Sequence, residues 1–274
     1  MPGATDLLAT WEAGIAANGA HRALLLHALT RPGEEAGWLL AVPVGERDAD
    51  LLALRRTLFG DRANVRLACA ECAEDLEFDF AIRDALREAE QEAGHPAITQ
   101  PPGDHQPAPD ASASPAEAAP DGRPGPAPIQ VTEGAWTVLL RPPTSADLLA
   151  AAEAPPGRAR AVVLARCVLD ARKGGRRVAA AGLPPALQER IAEAVAAADP
   201  RADITFDVPC PTCGHRTKAL LDPGAFLWEE LDAWARGLLL DVHLLAATYG
   251  WSEPEVLALS PLRRRRYLEL AGHA

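Results

Sequence analysis

From Thr5 to about Ala28, apolar residues recur at steps of three and four: Leu7, Leu8, Trp11, Ile15, then Leu24, Leu25, Leu26 and Leu29. That spacing predicts helix, interrupted at Asn18-Gly19 and ended by Arg31-Pro-Gly33. Trp38 to Val44 is short, apolar and β-branched toward its end, which fits a strand or a buried loop. A helix follows from about Ala49 to Phe59, with Leu51, Leu54 and Leu58 inward and Gly60 as a left-handed C-cap. Val65-Arg-Leu67 and Leu76-Glu-Phe-Asp-Phe80 alternate with period two, so a hairpin is predicted with its tip between them. A charged helix runs from Ile82 to about Glu92.

The pattern then lapses. Residues 91–128 hold ten of the 25 prolines, mixed with Ala, Gly, Ser and Asp. Such a composition buries too little apolar area to offset chain entropy, so 93–128 reads as a disordered, partly polyproline linker. Order resumes near Ile129. Trp136 to Leu140 reads as a strand, and Ser145 as the cap of a helix through Asp147-Leu-Leu149. A helix is predicted over Arg160–Arg172, with Val162, Val163, Ala165, Cys167 and Leu169 inward and Gly174-Gly175 as its breaker. A further helix spans Ala186–Ala198 and ends at Asp199-Pro200. Strands Ile204–Val208 and Thr217–Leu221 flank a second turn. The longest helix, Phe226–Tyr249, carries a sustained stripe of Leu227, Leu231, Trp234, Leu238, Val242, Leu245 and Tyr249. Gly250 ends it. Ser252-Glu-Pro-Glu255 is a capping box, and Ser260-Pro261 caps the last helix.

Both hairpin tips carry a cysteine pair. Cys69-Ala-Glu-Cys72 sits on the first, and Cys210-Pro-Thr-Cys213-Gly-His215 on the second. Each is a metal knuckle, a tight turn whose backbone N–H groups face the sulfurs while two thiolates aim at one ion. One knuckle supplies half of a tetrahedral zinc shell, so Cys69, Cys72, Cys210 and Cys213 are the expected ligands of one structural zinc. Leu51–Phe80 and Leu187–Leu221 follow the same order of helix, polar turn, strand, Cys-x-x-Cys and strand, which explains the distant spacing as a duplicated unit. The competing reading is two redox or incidental pairs. Neither pair opens a helix after a core strand, as a thioredoxin-type site requires. His215 is close enough to compete as a ligand, although a His there more often donates to a thiolate or faces solvent. Cys167 lies on an apolar helix face and reads as core. His95 and His105 fall in the linker, facing solvent.

The fold class expected is α+β: two pseudo-repeated helix–β-hairpin units joined by one zinc, with a C-terminal helical tail. The divisions are 1–92 with the first knuckle, 93–128 as linker, 129–225 with the second knuckle, and 226–274 as tail.

Composition narrows the function. With 274 residues and 48% hydrophobic content the chain can bury a core. No apolar run approaches the ~20 residues that cross a bilayer. The start lacks a basic region followed by an apolar one, so a cytoplasmic product is expected. Five cysteines, four in close pairs, fit metal binding in a reducing compartment. A net charge of −11 opposes nonspecific attraction to nucleic acid. No Gly-Lys-Ser/Thr phosphate loop follows Gly174-Gly175, and no Gly-x-Ser-x-Gly elbow occurs. Four cysteines leave a zinc no open position, so no enzyme is expected. His243 lies beside the apolar stripe and reads as a core or interface residue. Glu229, Glu230 and Asp232 read as a solvated face. The run Arg263, Arg264, Arg265 and Arg266 can be read as part of a helix-turn-helix gripping phosphate. It also wraps a helix, so only part of it faces any partner; the acidic balance and the lack of a second basic strip stand against nucleic acid, and an acidic protein is the expected partner.

The tail brings a family into view. Phe226-Leu-Trp-Glu-Glu-Leu-Asp-Ala-Trp234, Asp241-Val-His-Leu-Leu245, Tyr249-Gly-Trp-Ser-Glu253, Leu257-Ala-Leu-Ser260 and Arg264-Arg-Arg-Tyr267-Leu resemble baseplate-associated proteins. These belong to contractile-tailed phages and phage-tail-like contractile injection systems, and are similar to the baseplate hub or hub-assembly subunit. Arg141-Pro-Pro-Thr-Ser-Ala-Asp-Leu148, Val44-Gly-Glu-Arg-Asp48 and both knuckles share the likeness. The resemblance implies a non-enzymatic role in building the machine, in contact with other baseplate or tail proteins. Trp228, Trp234 and Trp251, with Arg263–Arg266, are the candidates for partner contact or for packing the tail. The alternative class is a zinc-dependent nucleic-acid binder or regulator.

Overall fold

The computed structural model describes residues 2–93 and 127–272. The expected linker therefore falls almost wholly outside the described residues, as do His95 and His105. In chain order the helices and strands begin with α1 (Ala4–Gly14), α2 (Gly19–Thr30), α3 (Ala36–Ala41), α4 (Val44–Phe59), β1 (Arg62–Ala68), β2 (Asp75–Ala81) and α5 (Ile82–Ala93). They continue with β3 (Ile129–Glu133), β4 (Trp136–Leu140), α6 (Ser145–Ala152), α7 (Ala159–Cys167), β5 (Val168–Lys173), β6 (Arg176–Arg177) and α8 (Pro185–Ala198). The last are β7 (Thr205–Pro209), β8 (Arg216–Leu220), α9 (Pro223–Tyr249), α10 (Glu253–Leu257) and α11 (Pro261–Leu270). The fold is mixed helix and sheet, and its sheets are small and antiparallel. Among the described residues no helix is long and apolar enough to cross a membrane.

The described residues group into two compact units. Residues 1–32 group with 222–274, while 33–221 form the other. The reason is in the first helices: Leu7, Leu8, Trp11, Ala23 and Leu26 are buried, and α1 and α2 pack against α9. Trp11 Nε1 donates to Asp232 at 2.8 Å, so Asp232 is not simply a solvated charge. Trp228 lies against Gly14, where any Cβ would overlap its ring, and the Arg22 guanidinium stands 4.6 Å over that ring. Farther along, Leu245, Val256 and Leu268 form a small core that fastens α10 and α11 to α9. Trp251 stacks on Tyr249 with ring centres 4.8 Å apart and meets Tyr267 edge-on. The capping boxes behave as expected: Ser252 pairs with Glu255, and the Ser260 side chain accepts from Arg263 N.

In the other unit, a four-stranded sheet of order β3-β4-β5-β6 buries Val131, Val138, Leu140 and Ala171 against Leu187 and Ile191 of α8. Here the sequence expectation needs correction. The predicted helix Arg160–Arg172 ends at Cys167, and Val168–Lys173 is a strand paired with β4. Gly174 and Gly175, both at positive φ, turn β5 into β6. The strand's alternation leaves Leu169 exposed, where a helix would have buried it. Trp38 to Val44 is also mostly helical, with α3 through Ala41 and α4 from Val44; only Val42 and Pro43 connect the two, and Pro43 bridges to Thr144. Gly60 has positive φ but extended ψ, so it is not a left-handed cap.

Asp147 anchors this unit. Its fully buried carboxylate receives Arg141 Nη1 at 2.6 Å and Arg166 Nε at 2.7 Å, with the N–H and hydroxyl of Thr144. Thr144, not Ser145, is thus the helix cap. Burial acts to raise the Asp147 pKa, but Arg141, Thr144 and Arg166 outweigh it and bring it down to about 2. The same turn is pinned to the start of α4, with Val44 N donating to Pro143 O at 3.0 Å. Two segments far apart in sequence, 42–44 and 143–145, therefore lie side by side.

Candidate metal centre

Two hairpins build the centre, and each follows a helix. β1 pairs with β2 in register from Arg62↔Ala81 to Ala68↔Asp75, and β7 with β8 from Thr205↔Leu220 to Pro209↔Arg216. A lone two-stranded hairpin is marginal in water. These two lean on each other: Phe206 of β7 meets Phe78 and Phe80 of β2 at 5.2 and 4.6 Å between ring centres. Leu76 and Val208 are buried beside them with Cys69 and Cys210. The arms also meet at their helical ends. Asp199, just after α8, accepts from Gly45 N at 2.9 Å, which places a carboxylate at the positive N-terminus of α4. A Cβ on Gly45 would overlap that carboxylate.

The two tips converge. Cys69, Cys72, Cys210 and Cys213 place their sulfurs within 4.8 Å of one another, a group that could hold one metal ion. Across the knuckles Cys69 Sγ lies 3.7 Å from Cys213 Sγ, and Cys72 Sγ lies 3.6 Å from Cys210 Sγ. A tetrahedral ion with thiolate bonds of ~2.3 Å sets its sulfurs ~3.8 Å apart, so the donor set fits. Cys69 and Cys210 are buried, while Cys72 and Cys213 are exposed, on the solvent side of the cluster. All five cysteines are free thiols.

The knuckles repeat one hydrogen-bond pattern. Cys69 N donates to Glu74 O and Ala73 N to Cys69 O; likewise Cys210 N donates to His215 O and Gly214 N to Cys210 O. Ala73 and Gly214 hold the same corner, at φ 58° and 74°. Backbone N–H groups aim at the sulfurs. That of Cys72, followed by that of Glu71, holds the Cys69 pKa down to about 6 against burial. For Cys72 the N–H of Glu74 acts to lower the pKa, but the Cys213 sulfur, burial and the Cys210 and Cys69 sulfurs push it up to about 12. Cys213 also ends raised: the N–H of His215 works downward, and burial with the neighbouring Cys210 and Cys69 sulfurs outweighs it. Four crowded sulfurs do not all keep a negative charge on their own, and a divalent cation removes that conflict.

Sequence reasoning did not find Thr217. It is buried on β8, accepts from Ala70 N at 3.2 Å and places its hydroxyl 3.9 Å from Cys69 Sγ. It thus ties the second hairpin to the first knuckle. No spacing signal marks such a residue, because its partners are 147 and 148 positions away. His215 is exposed and stands outside the sulfur cluster, so its ring does not compete for the ion. Cys167 is buried, and burial pushes its thiol up to about 11, which fits an inert core residue.

The remaining candidates lie in the other unit. Trp228 is buried, which assigns it to packing. Trp251 is half-buried in its aromatic stack, and Trp234 is half-buried beside α11. Arg264 is buried, whereas Arg263, Arg265 and Arg266 are exposed. His243 is exposed rather than core.

No family model matches the chain, and no curated protein or solved structure matches it.

Proposed function

We propose that the chain is a structural or assembly subunit of the baseplate of a contractile injection system or phage tail, held in shape by one zinc ion. The observation that supports the structural-metal part of this reading is the closed set of four sulfurs. Catalytic zinc keeps a position for water or substrate, while structural zinc fills all four with protein. Cysteine thiolates are soft donors, and a tetrahedral four-sulfur set selects zinc or iron–sulfur chemistry over hard cations. The shared hydrogen-bond pattern of the knuckles, each reached from a helix through a strand, supports a duplicated unit. The likeness of the C-terminal helices and of the Arg141–Leu148 turn to baseplate proteins supports the assembly role. That turn contributes a structural knot around Asp147 rather than a reactive group.

Metal analysis of the purified chain should return one zinc per chain. Co-expression with the tube, sheath and spike products of neighbouring genes should give a stable complex. Particles that assemble normally without this chain would overturn the baseplate role. Tight DNA or RNA binding with a steep salt slope would favour the nucleic-acid alternative.

A further inference from the structure

The helical tail unit contains an open cleft of about 560 Å³ between α9 and α11. Its apolar wall is Trp234, Leu238 and Leu268. Leu262, 66% exposed, follows directly on Pro261, which also lines the cleft. Arg264 and Arg265 supply the cationic wall. Arg264 is 93% buried by its 7% exposure, yet its guanidinium is poorly used. Its Nη1 donates to Leu259 O at 3.3 Å, its Nε has no hydrogen-bond partner, and Asp241 stands 3.7 Å away. The fork of five N–H donors is thus only partly occupied, by one carbonyl and by an ion pair with Asp241 too long for a hydrogen bond. Arg265 is exposed and makes no ion pair within the described unit. The acidic lining does not cancel this: Glu269 is already engaged by Arg266 at 2.6 Å, which leaves Asp241 facing both arginines. With Glu269 covered by Arg266, two arginines face one carboxylate, a local excess of one positive charge on a chain of net charge −11.

We propose that this cleft seats an acidic, amphipathic segment of a protein partner, with an apolar side chain on Trp234, Leu238 and Leu268 and a carboxylate facing Arg264 and Arg265. Charge complementarity selects the acidic occupant, and the tryptophan wall selects an apolar anchor beside it. The inference rests on the protein-partner role proposed above and supplies the chemistry of that partner.

The test uses the full-length, zinc-loaded chain and a fluorescent twelve-residue synthetic helix with glutamate on one side and leucine on the other. Saturable binding by anisotropy is expected, and replacing every glutamate with glutamine should abolish it. Arg265→Glu and Trp234→Ala should each weaken binding about tenfold. Arg263→Glu, an exposed arginine outside the cleft, should change it little. Because Arg265 is exposed, its variant remains informative even if Arg264→Ala misfolds. No saturable binding, equal binding of the glutamine peptide, equal loss in Arg263→Glu and Arg265→Glu, or tighter capture of an oligonucleotide of equal charge would each overturn the cleft. A chain that joins tail proteins but ignores the peptide defeats this inference alone. A chain that binds the peptide but joins no tail protein defeats the baseplate role alone.

Discussion

The two knuckles close with the same backbone hydrogen bonds but place different residues at the left-handed corner, alanine in the first and glycine in the second. Glycine takes that conformation freely, whereas an L-residue gives up roughly 1–2 kcal/mol. The first knuckle is therefore the more strained copy of the same turn. What holds it is outside itself: the sulfurs of the second tip, the Thr217 hydroxyl, and any ion that the four sulfurs take up. The difference teaches that the pair is unequal in self-sufficiency although equal in ligand number. When the ion leaves, residues 69–74 should lose amide-exchange protection before residues 210–215.

Removing the metal is the largest intervention. Chelation, or Cys69→Ser, should abolish stoichiometric metal and withdraw on the order of 10 kcal/mol from the hairpin pair. The four-stranded sheet has its own buried core and should keep its amide protection, so the loss would be local. Concerted unfolding of both would break the comparison.

Acid gives a second separation. Thiolates must give up the metal to protons as pH falls, so the knuckles should release it first. Asp147 behaves otherwise. Its folded pKa is depressed, so its contribution is present above the unfolded value and lost as pH falls toward about 2. The shift from 3.8 corresponds to about 2 kcal/mol, fully in place above roughly pH 4. Metal release monitored beside far-UV dichroism should show two steps in that order.

Gly45→Ala should cost about 2 kcal/mol by forcing Asp199 away from the start of α4, which a shift in thermal midpoint would register. Thr217→Val keeps the shape and removes the hydroxyl, and should lower metal affinity about tenfold, whereas Thr217→Ser should retain it. The smallest effects bear directly on the corner residues. Gly214→Ala should destabilise by about 1 kcal/mol, and Ala73→Gly should be neutral or stabilising by less than that. Equal signs would show that the corners are not equivalent.

The candidate site was largely legible in the sequence. Two Cys-x-x-Cys pairs, each between period-two strands, were enough to expect one four-sulfur centre, and the tips do meet. Capping signals were legible too, because Ser252 and Ser260 act within four residues of themselves. Misreadings came where distant contacts decide. Val168–Lys173 has apolar spacing compatible with a helix, and pairing with β4 makes it a strand. Packing was among the roles expected for Trp228, and its burial agrees, but the partner it packs on, Gly14, lies more than two hundred positions earlier and was not legible. Thr217 looks like any strand threonine until Ala70 and Cys69 are placed beside it.

The span between the knuckles also has a temporal side. Cys69 and Cys213 are 144 positions apart. At synthesis rates of about 5–20 residues per second, the first tip leaves the ribosome on the order of ten seconds before its partner exists. During that interval its two thiols can hold an ion only by half, open to oxidants and to competing metals. Zinc supply and thiol reduction while the chain is still being made should therefore govern the yield of correctly closed protein.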